Sequence, residues 1–408
     1  IGDGMIHAFH IADGRVSYRN RWVRTPKWEL ENAAHKSLFG AWGNPATTDP
    51  SAQGKDGGVA NTNIIWHAGK LFALEEAHRP FALDPETLAA LGYWDFGGAF
   101  KGARFTAHPK IDPETGEMVF FAYSATGFFS PTLAYGVIDP TGKLTRFDTF
   151  EAPYASMVHD FMVTRNYVLF PVLPLTGSMQ RAMSGKPAYA WEADKRSYVG
   201  VMKRNADVSS VRWFECDPCY VFHPMNAYED GNKIIGDVMQ YEAAPLFPDP
   251  NGRAGDPAKA TAHLTRWTFD LASNTGGFKR EQIDDLAGEF PRFDERFAGL
   301  HYRHGYFAAS SDRKALDAFD TLTHIDFKAG KRMAYQLPKG DFVSEPIFVP
   351  RAESASEGDG YLLATVYRGA DKRSDLAVFD AAGLDQGPIA VAELSHRVPF
   401  GFHGNWRP

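Results

Sequence analysis

At 408 residues the chain is long enough to bury a large core, and its 44% hydrophobic and 23% charged residues are ordinary for a soluble globular protein. A net charge of −7 and a pI near 6.1 exclude the basic face of a nucleic-acid binder. No uninterrupted apolar run of about 18 residues occurs, which excludes a transmembrane helix.

In chain order, strand signals dominate. Ile64–His67 runs through Gly69-Lys70 into Leu71–Leu74. Met118–Tyr123, Tyr167–Phe170, Lys233–Gly236 and Tyr361–Val366 follow. Each run is short, rich in β-branched or aromatic residues, and bounded by Gly, Pro, Asp or Asn. Only two brief helices are expected, Ser178–Met183 and Arg280–Leu286. Asp84-Pro85, Asp112-Pro113 and Asp139-Pro140 recur 27 or 28 residues apart, each opening a turn. Evenly spaced hairpin turns in an all-β chain predict a radially repeated sheet, a β-propeller. Pro248–Ala260 and Glu353–Gly360 read as surface loops, not linkers, so residues 1–408 are expected to form one domain. The two cysteines, Cys216 and Cys219, are too few for a four-thiolate zinc site and lack a βαβ context. They predict reduced thiols beside a strand, which suits a cytoplasmic protein.

Most of the 14 histidines need no special account. His7 with His10, and His301 with His304, have a ligand-like spacing that chance also produces. His35, His67, His78, His263, His324 and His396 lie beside turn or polar residues and read as surface or satisfied positions. His108, His159, His223 and His403 differ. Each follows an apolar or small residue where a strand starts or ends, and they are separated by 51, 64 and 180 residues. With about 55–60 residues to a propeller blade, those steps correspond to one, one and three blades, so all four rings can face the axis. Four neutral imidazoles suit iron, copper, zinc or nickel, and leave two positions open on an octahedral ion.

The segments around these histidines resemble the carotenoid cleavage oxygenase family. The resemblance runs from Gly2-Asp3-Gly4-Met5 through Ala60-Asn61-Thr62-Asn63, Ala107-His108-Pro109-Lys110, His159-Asp160-Phe161 and Phe222-His223. It continues through Asn226-Ala227-Tyr228-Glu229, Glu289-Phe290-Pro291-Arg292 and Glu345-Pro346 to His403-Gly404. It implies an all-β, seven-bladed β-propeller with an axial metal site, and loops or short helices capping one face. It also implies Fe(II) held by His108, His159, His223 and His403, with Glu76, Glu289 and Glu345 behind them. A metal-bound imidazole donates its other N–H to a carboxylate, which fixes the ring. Which Glu serves which His stays open at this point. The family usually carries some tens of residues before Gly2-Asp3-Gly4, so a longer protein is expected.

Lys36–Gly40 and Asn44-Pro45 look most like the bacterial branch that cleaves lignostilbene and isoeugenol. That branch grips a phenol oxygen with a Tyr and a Lys. Trp42 and Glu75 stand at those positions here and are the candidate substrate contacts. Glu75 would repel a phenolate, though it can accept a hydrogen bond from a neutral phenol. The implied activity is oxidative cleavage of an arylalkene C=C bond by O2, with no organic cofactor and no catalytic residue beyond the iron centre. An apocarotenoid oxygenase is the first alternative, and a non-catalytic propeller or an isomerase the others. Phe128-Phe129 and Val172–Leu175 are candidates for a tunnel mouth touching a membrane surface, or for ordinary packing.

Overall fold

A computed structural model describes residues 2–40, 47–312 and 318–408. It opens on a hairpin of β1 (Met5–Ala12) and β2 (Arg15–Trp22). Asp13 and Gly14, at φ 52° and 69°, form the two-residue turn, whose positive φ angles match the strand twist. Helix α1 (Pro26–Ala34) follows, capped by the Thr25 hydroxyl, which accepts from the Trp28 amide.

Next come β3 (Asn63–His67), β4 (Lys70–Leu74), β5 (Phe81–Leu83) and β6 (Ala90–Tyr93), a four-stranded antiparallel sheet. A second is built from β7 (Lys110–Ile111), β8 (Met118–Ala122), β9 (Thr132–Ile138) and β10 (Leu144–Glu151). β11 (Met162–Val163) and β12 (Tyr167–Val172) begin a third. The chain then detours through β13 (Leu175–Gly177), helix α2 (Met179–Met183) and β14 (Tyr189–Trp191). It returns to complete that sheet with β15 (Ser197–Lys203) and β16 (Arg212–Cys216).

The next sheet has seven strands: β17 (Tyr220–Asp230), β18 (Lys233–Tyr241), β19 (His263–Asp270), β20 (Lys279–Phe293), β21 (His304–Ala309), β22 (Thr321–Asp326) and β23 (Lys331–Gln336). The last has five: β24 (Phe342–Val343), β25 (Ile347–Pro350), β26 (Gly360–Arg368), β27 (Arg373–Asp380) and β28 (Pro388–Glu393).

The fold is an all-β propeller, but the expected count of seven blades is corrected. Among the described residues there are three four-stranded sheets, one of seven strands, one of five and two two-stranded ribbons. The seven-stranded sheet exists because β20 is 15 residues long: its first half pairs with β19 and its second with β21. The Asp-Pro turns do close hairpins, with Asp84, Asp112 and Asp139 each accepting amides that follow. Two of the three lie in the same sheet, however, so their spacing does not count blades. The expected helix Arg280–Leu286 is also corrected, since it lies within β20. Ser178 does cap a short helix, accepting from the Arg181 amide.

The core lies between successive sheets. Phe72, Leu74 and Ala82 of the first four-stranded sheet pack against Met118, Phe120 and Ile138 of the second. Similar clusters join β8–β9 to β12 and β15, and β12, β15 and β16 to β17–β19. Burying each large apolar side chain contributes roughly 1.5–3 kcal/mol, so this ring of contacts dominates the stability. Gly136 lies opposite Phe120, and a Cβ there would come within 2.1 Å of the ring. Val172, Leu173 and Leu175 are buried, whereas Phe128 is exposed with the Arg104 guanidinium over its ring. Cys216 and Cys219 are buried and unbridged, with sulfurs 4.0 Å apart. Among the described residues no helix is long and apolar enough to cross a membrane.

Candidate metal centre

Three of the four histidines sit at the edge of a sheet, and the fourth, His403, lies in the segment after the last strand. His108 precedes β7, where the Thr106 hydroxyl accepts its amide at 2.9 Å and Asn63 donates to the Ala107 carbonyl. His159 precedes β11, the edge strand of the third sheet. His223 lies in β17 where the pairing with β18 slips between Val221 and Pro224, a bulge that redirects the side chain. His403 comes from the segment after β28; its amide bonds the Thr62 carbonyl, and Asn405 donates to the Ile64 carbonyl.

These positions bring the four rings together. One nitrogen from each lies within 4.8 Å of the others, and among the described residues this is the one such group of His, Cys, Asp or Glu. His159 Nε2 lies 3.1 Å from both His108 Nε2 and His223 Nε2. Burial pushes the His108 and His403 imidazoles below their ordinary pKa, with help from neighbouring histidines. Neutral rings are the ligand form.

Behind the rings stand carboxylates, and the structure pairs them. His223 Nδ1 donates to Glu289 at 2.6 Å and His403 Nδ1 to Glu345 at 2.9 Å. His159 Nδ1 contacts Glu76. With Nδ1–H committed outward, each Nε2 presents a lone pair inward. Lone pairs converging on one point repel unless a cation sits between them, so the donor set fits a divalent transition metal. His108 has no such glutamate. The nearest carboxylate oxygen, on Asp160, is 3.8 Å from its Nδ1, and Asp160 is bound to Lys110 at 2.8 Å.

The carboxylates are themselves held, by residues that sequence reasoning missed. Tyr123 donates to Glu76 at 2.6 Å, Tyr241 to Glu289 at 3.0 Å, and Arg292 to Glu345 at 3.3 Å. Burial works against ionisation of Glu345, but Arg292 and His403 outweigh it and hold the carboxyl at about 2. Arg292 lies in the Glu289-Phe290-Pro291-Arg292 motif, which could have marked it. The two tyrosines sit in no pattern that could.

Aromatic rings wall the cluster. Phe222 meets His159 edge-on at 5.1 Å, and Phe290 stacks on His223 at 5.4 Å. Phe290 holds φ at 56°, a conformation that costs a non-glycine residue about 1–3 kcal/mol and tends to persist at functional sites.

Glu75 and Glu76 follow the end of β4, and Glu75 has partners different from those of its neighbour. Its Oε1 accepts from the Val59 and Ala60 amides at 2.7 and 3.2 Å and lies 3.1 Å from His78 Nδ1. Trp42 lies outside the described residues. The other ligand-like histidines stay apart from the cluster. His304 bonds His324 at 2.9 Å, and His7 bonds the Tyr18 hydroxyl at 2.5 Å.

Comparison with known proteins agrees with this site. The family model described as retinal pigment epithelial membrane protein matches residues 2–408. The chain is 42% identical to an isoeugenol monooxygenase of Pseudomonas putida, covering 100% of this chain and 87% of that protein. It is 40% identical to lignostilbene-α,β-dioxygenase isozyme III of Sphingomonas paucimobilis, covering 99% and 86%. The crystal structure of a Pseudomonas brassicacearum lignostilbene dioxygenase superimposes with a TM-score of 0.96 at 38% identity, covering 100% and 87%. With the family model matching residues 2–408 and relatives 40–42% identical over nearly the whole chain, the chain belongs to the retinal pigment epithelial membrane protein family, the carotenoid cleavage oxygenases.

Proposed function

We propose that this chain is a non-haem Fe(II) dioxygenase that cleaves the conjugated C=C bond of an arylalkene of the isoeugenol or stilbene type. The alkene and one O2 become two carbonyl products, with all atoms accounted for. The observation that carries the reading is the cluster of His108, His159, His223 and His403 backed by Glu76, Glu289 and Glu345. It occurs in a chain 42% identical to an isoeugenol monooxygenase. Those four histidines would hold the iron, which when bound supplies the activation of O2.

The protein's own groups orient and exclude. The glutamates fix the imidazole planes, and Tyr123, Tyr241 and Arg292 fix the glutamates. Phe222 and Phe290 keep water from the rings and offer an apolar surface to the alkene. Trp42 and Glu75 are the proposed ring contacts. Residues 1–408 act as one domain in this reading. The unbridged Cys216 and Cys219 support a reducing, cytoplasmic setting.

The test is mass spectrometry of products from iron-loaded protein, isotope-labelled O2 and a panel of isoeugenol, 4-vinylguaiacol, a 4-hydroxystilbene and an apocarotenal. Labelled vanillin or hydroxybenzaldehyde is the expected result. A labelled, shortened apocarotenal with inert phenolics would shift the activity to polyenes. No labelled product from any member would overturn the reading.

A further inference from the structure

The strands that carry the metal centre pass the histidines first and a shared cavity after them. β7 begins two residues after His108 and β11 three residues after His159, while β17 continues past His223 and β20 runs on from Glu289 to Phe293. Each strand residue advances the chain by about 3.3 Å, so the later residues lie behind the histidine cluster. Between them is a cavity of about 50 Å³, walled by Ile111, Phe161, Met162, Met225, Ala227 and Leu300. One water-sized molecule needs roughly 10–15 Å³, so there is room for a small guest, and cavities with apolar walls stay dry and take up gases such as xenon. Asn226 holds the segment that crosses the far end. It donates to the Phe297 and Leu300 carbonyls at 3.0 and 3.3 Å and accepts from the Gly299 amide at 3.0 Å.

The charges at the rim are paired. Arg165 bonds Glu114 at 2.7 Å, and Arg204 bonds Asp112 and, at 3.0 Å, Glu117. Such a rim offers an ion no unmatched partner, so the cavity suits a neutral, apolar guest of diatomic size. Only one layer separates that guest from the histidines. Lys110, Phe161 and Pro224 line the cavity and stand two, two and one residues beyond His108, His159 and His223. Lys110 spans the layer to Asp160 at 2.8 Å, and its side chain is 29% exposed, against 6% for His108. Exposed side chains change rotamer in picoseconds to nanoseconds, fast enough to let a small molecule past within one turnover.

We propose that this axial cavity holds O2 and admits it to the metal centre from the end away from Phe222, leaving the other side to the alkene. The inference rests on the proposed function in taking O2 as the co-substrate. It gives the lining residues no part in holding iron.

The test begins with crystals of the wild-type protein under xenon pressure, where xenon density is expected between Phe161, Met225 and Leu300. No density there overturns the proposal. Ala298 also lines the cavity, and Ala298→Leu fills it. In that variant, nitric oxide should bind the Fe(II) protein about fivefold more slowly in stopped flow with saturating isoeugenol present. KM for O2 should rise by about the same factor, while KM for isoeugenol, kcat at saturating O2 and iron content stay within about twofold. An unchanged nitric oxide rate, or an equal rise in KM for isoeugenol, overturns the assignment. If Ala298→Leu does not fold, wild type in xenon-saturated buffer takes its place: slower nitric oxide binding supports the route, and an unchanged rate overturns it. If wild type cleaves no alkene, the proposed reaction fails, but the xenon density and the nitric oxide rates still judge the cavity.

Discussion

His324 shows how a single buried side chain sets a pH limit. It is 7% exposed beside His304, and burial together with that second imidazole pushes its pKa down to about 4. The unfolded chain takes up a proton near pH 6.5 that the folded chain refuses until about pH 4. Stability is therefore full above pH 6.5 and falls as pH drops through that window, by about 3 kcal/mol in all. His324→Gln keeps a partner for His304 and flattens the loss, read as urea midpoints at pH 7.5 and 4.5. An unchanged slope would acquit His324. Within the metal centre, Glu289→Gln keeps a hydrogen-bonding group behind His223 but removes its charge. Iron affinity is expected to fall roughly 10- to 100-fold, measured as retained iron against a chelator. The four histidines stood out as a set because each sits in a recognisable segment, and the three glutamates came only through the family resemblance. Their pairing was not legible, since it depends on which sheet edges meet. Tyr123 and Tyr241 were not legible as site residues, because a lone tyrosine in or just after a strand has no local pattern to distinguish it.

At the scale of elements, helix α1 shows a local device that positions the loop that follows it. The Glu31 carboxylate accepts from the Leu38 and Phe39 amides at 2.7 and 3.0 Å and pairs with Lys27 at 2.6 Å. Burial opposes its ionisation, but Lys27 and the two amides prevail and hold the carboxyl at about 2. This stability is present above about pH 4.5 and is lost as pH falls toward 2. Glu31→Gln should cost about 1–2 kcal/mol at pH 7 and remove that acid-dependent part, measured by chemical denaturation across the range. Strand runs such as Met118–Ala122 were readable because buried β-branched and aromatic residues crowd there. Arg280–Leu286 was misread because its charged residues with spaced Ile283 and Leu286 imitate a helix. In the fold they lie in a strand whose outer face meets solvent, so they carry no apolar run.

At the scale of the molecule, the propeller class was legible and the blade count was not. Hairpin turns such as those at Asp112 and Asp139 recur inside one sheet as readily as between sheets. The contact between the His403 amide and the Thr62 carbonyl joins the segment after β28 to the residue just before β3, a pairing no local pattern announces. Strand β20 has a consequence of its own. Because it belongs to two sets of neighbours at once, neither set can open while the other stays shut. Backbone amides at Ile234 and Phe269 on one side, and at Phe307 and Leu322 on the other, should therefore exchange with solvent deuterium at a common free energy. They should lose protection at the same denaturant concentration, as one foldon. Two separate protection levels would show that the strand transmits nothing. Glu289 lies in the part of β20 that pairs with β21, two residues past Ala287, which pairs with β19, so occupation of the metal centre should slow exchange on both sides together, and a ligand would be felt as far away as the outermost strand of either.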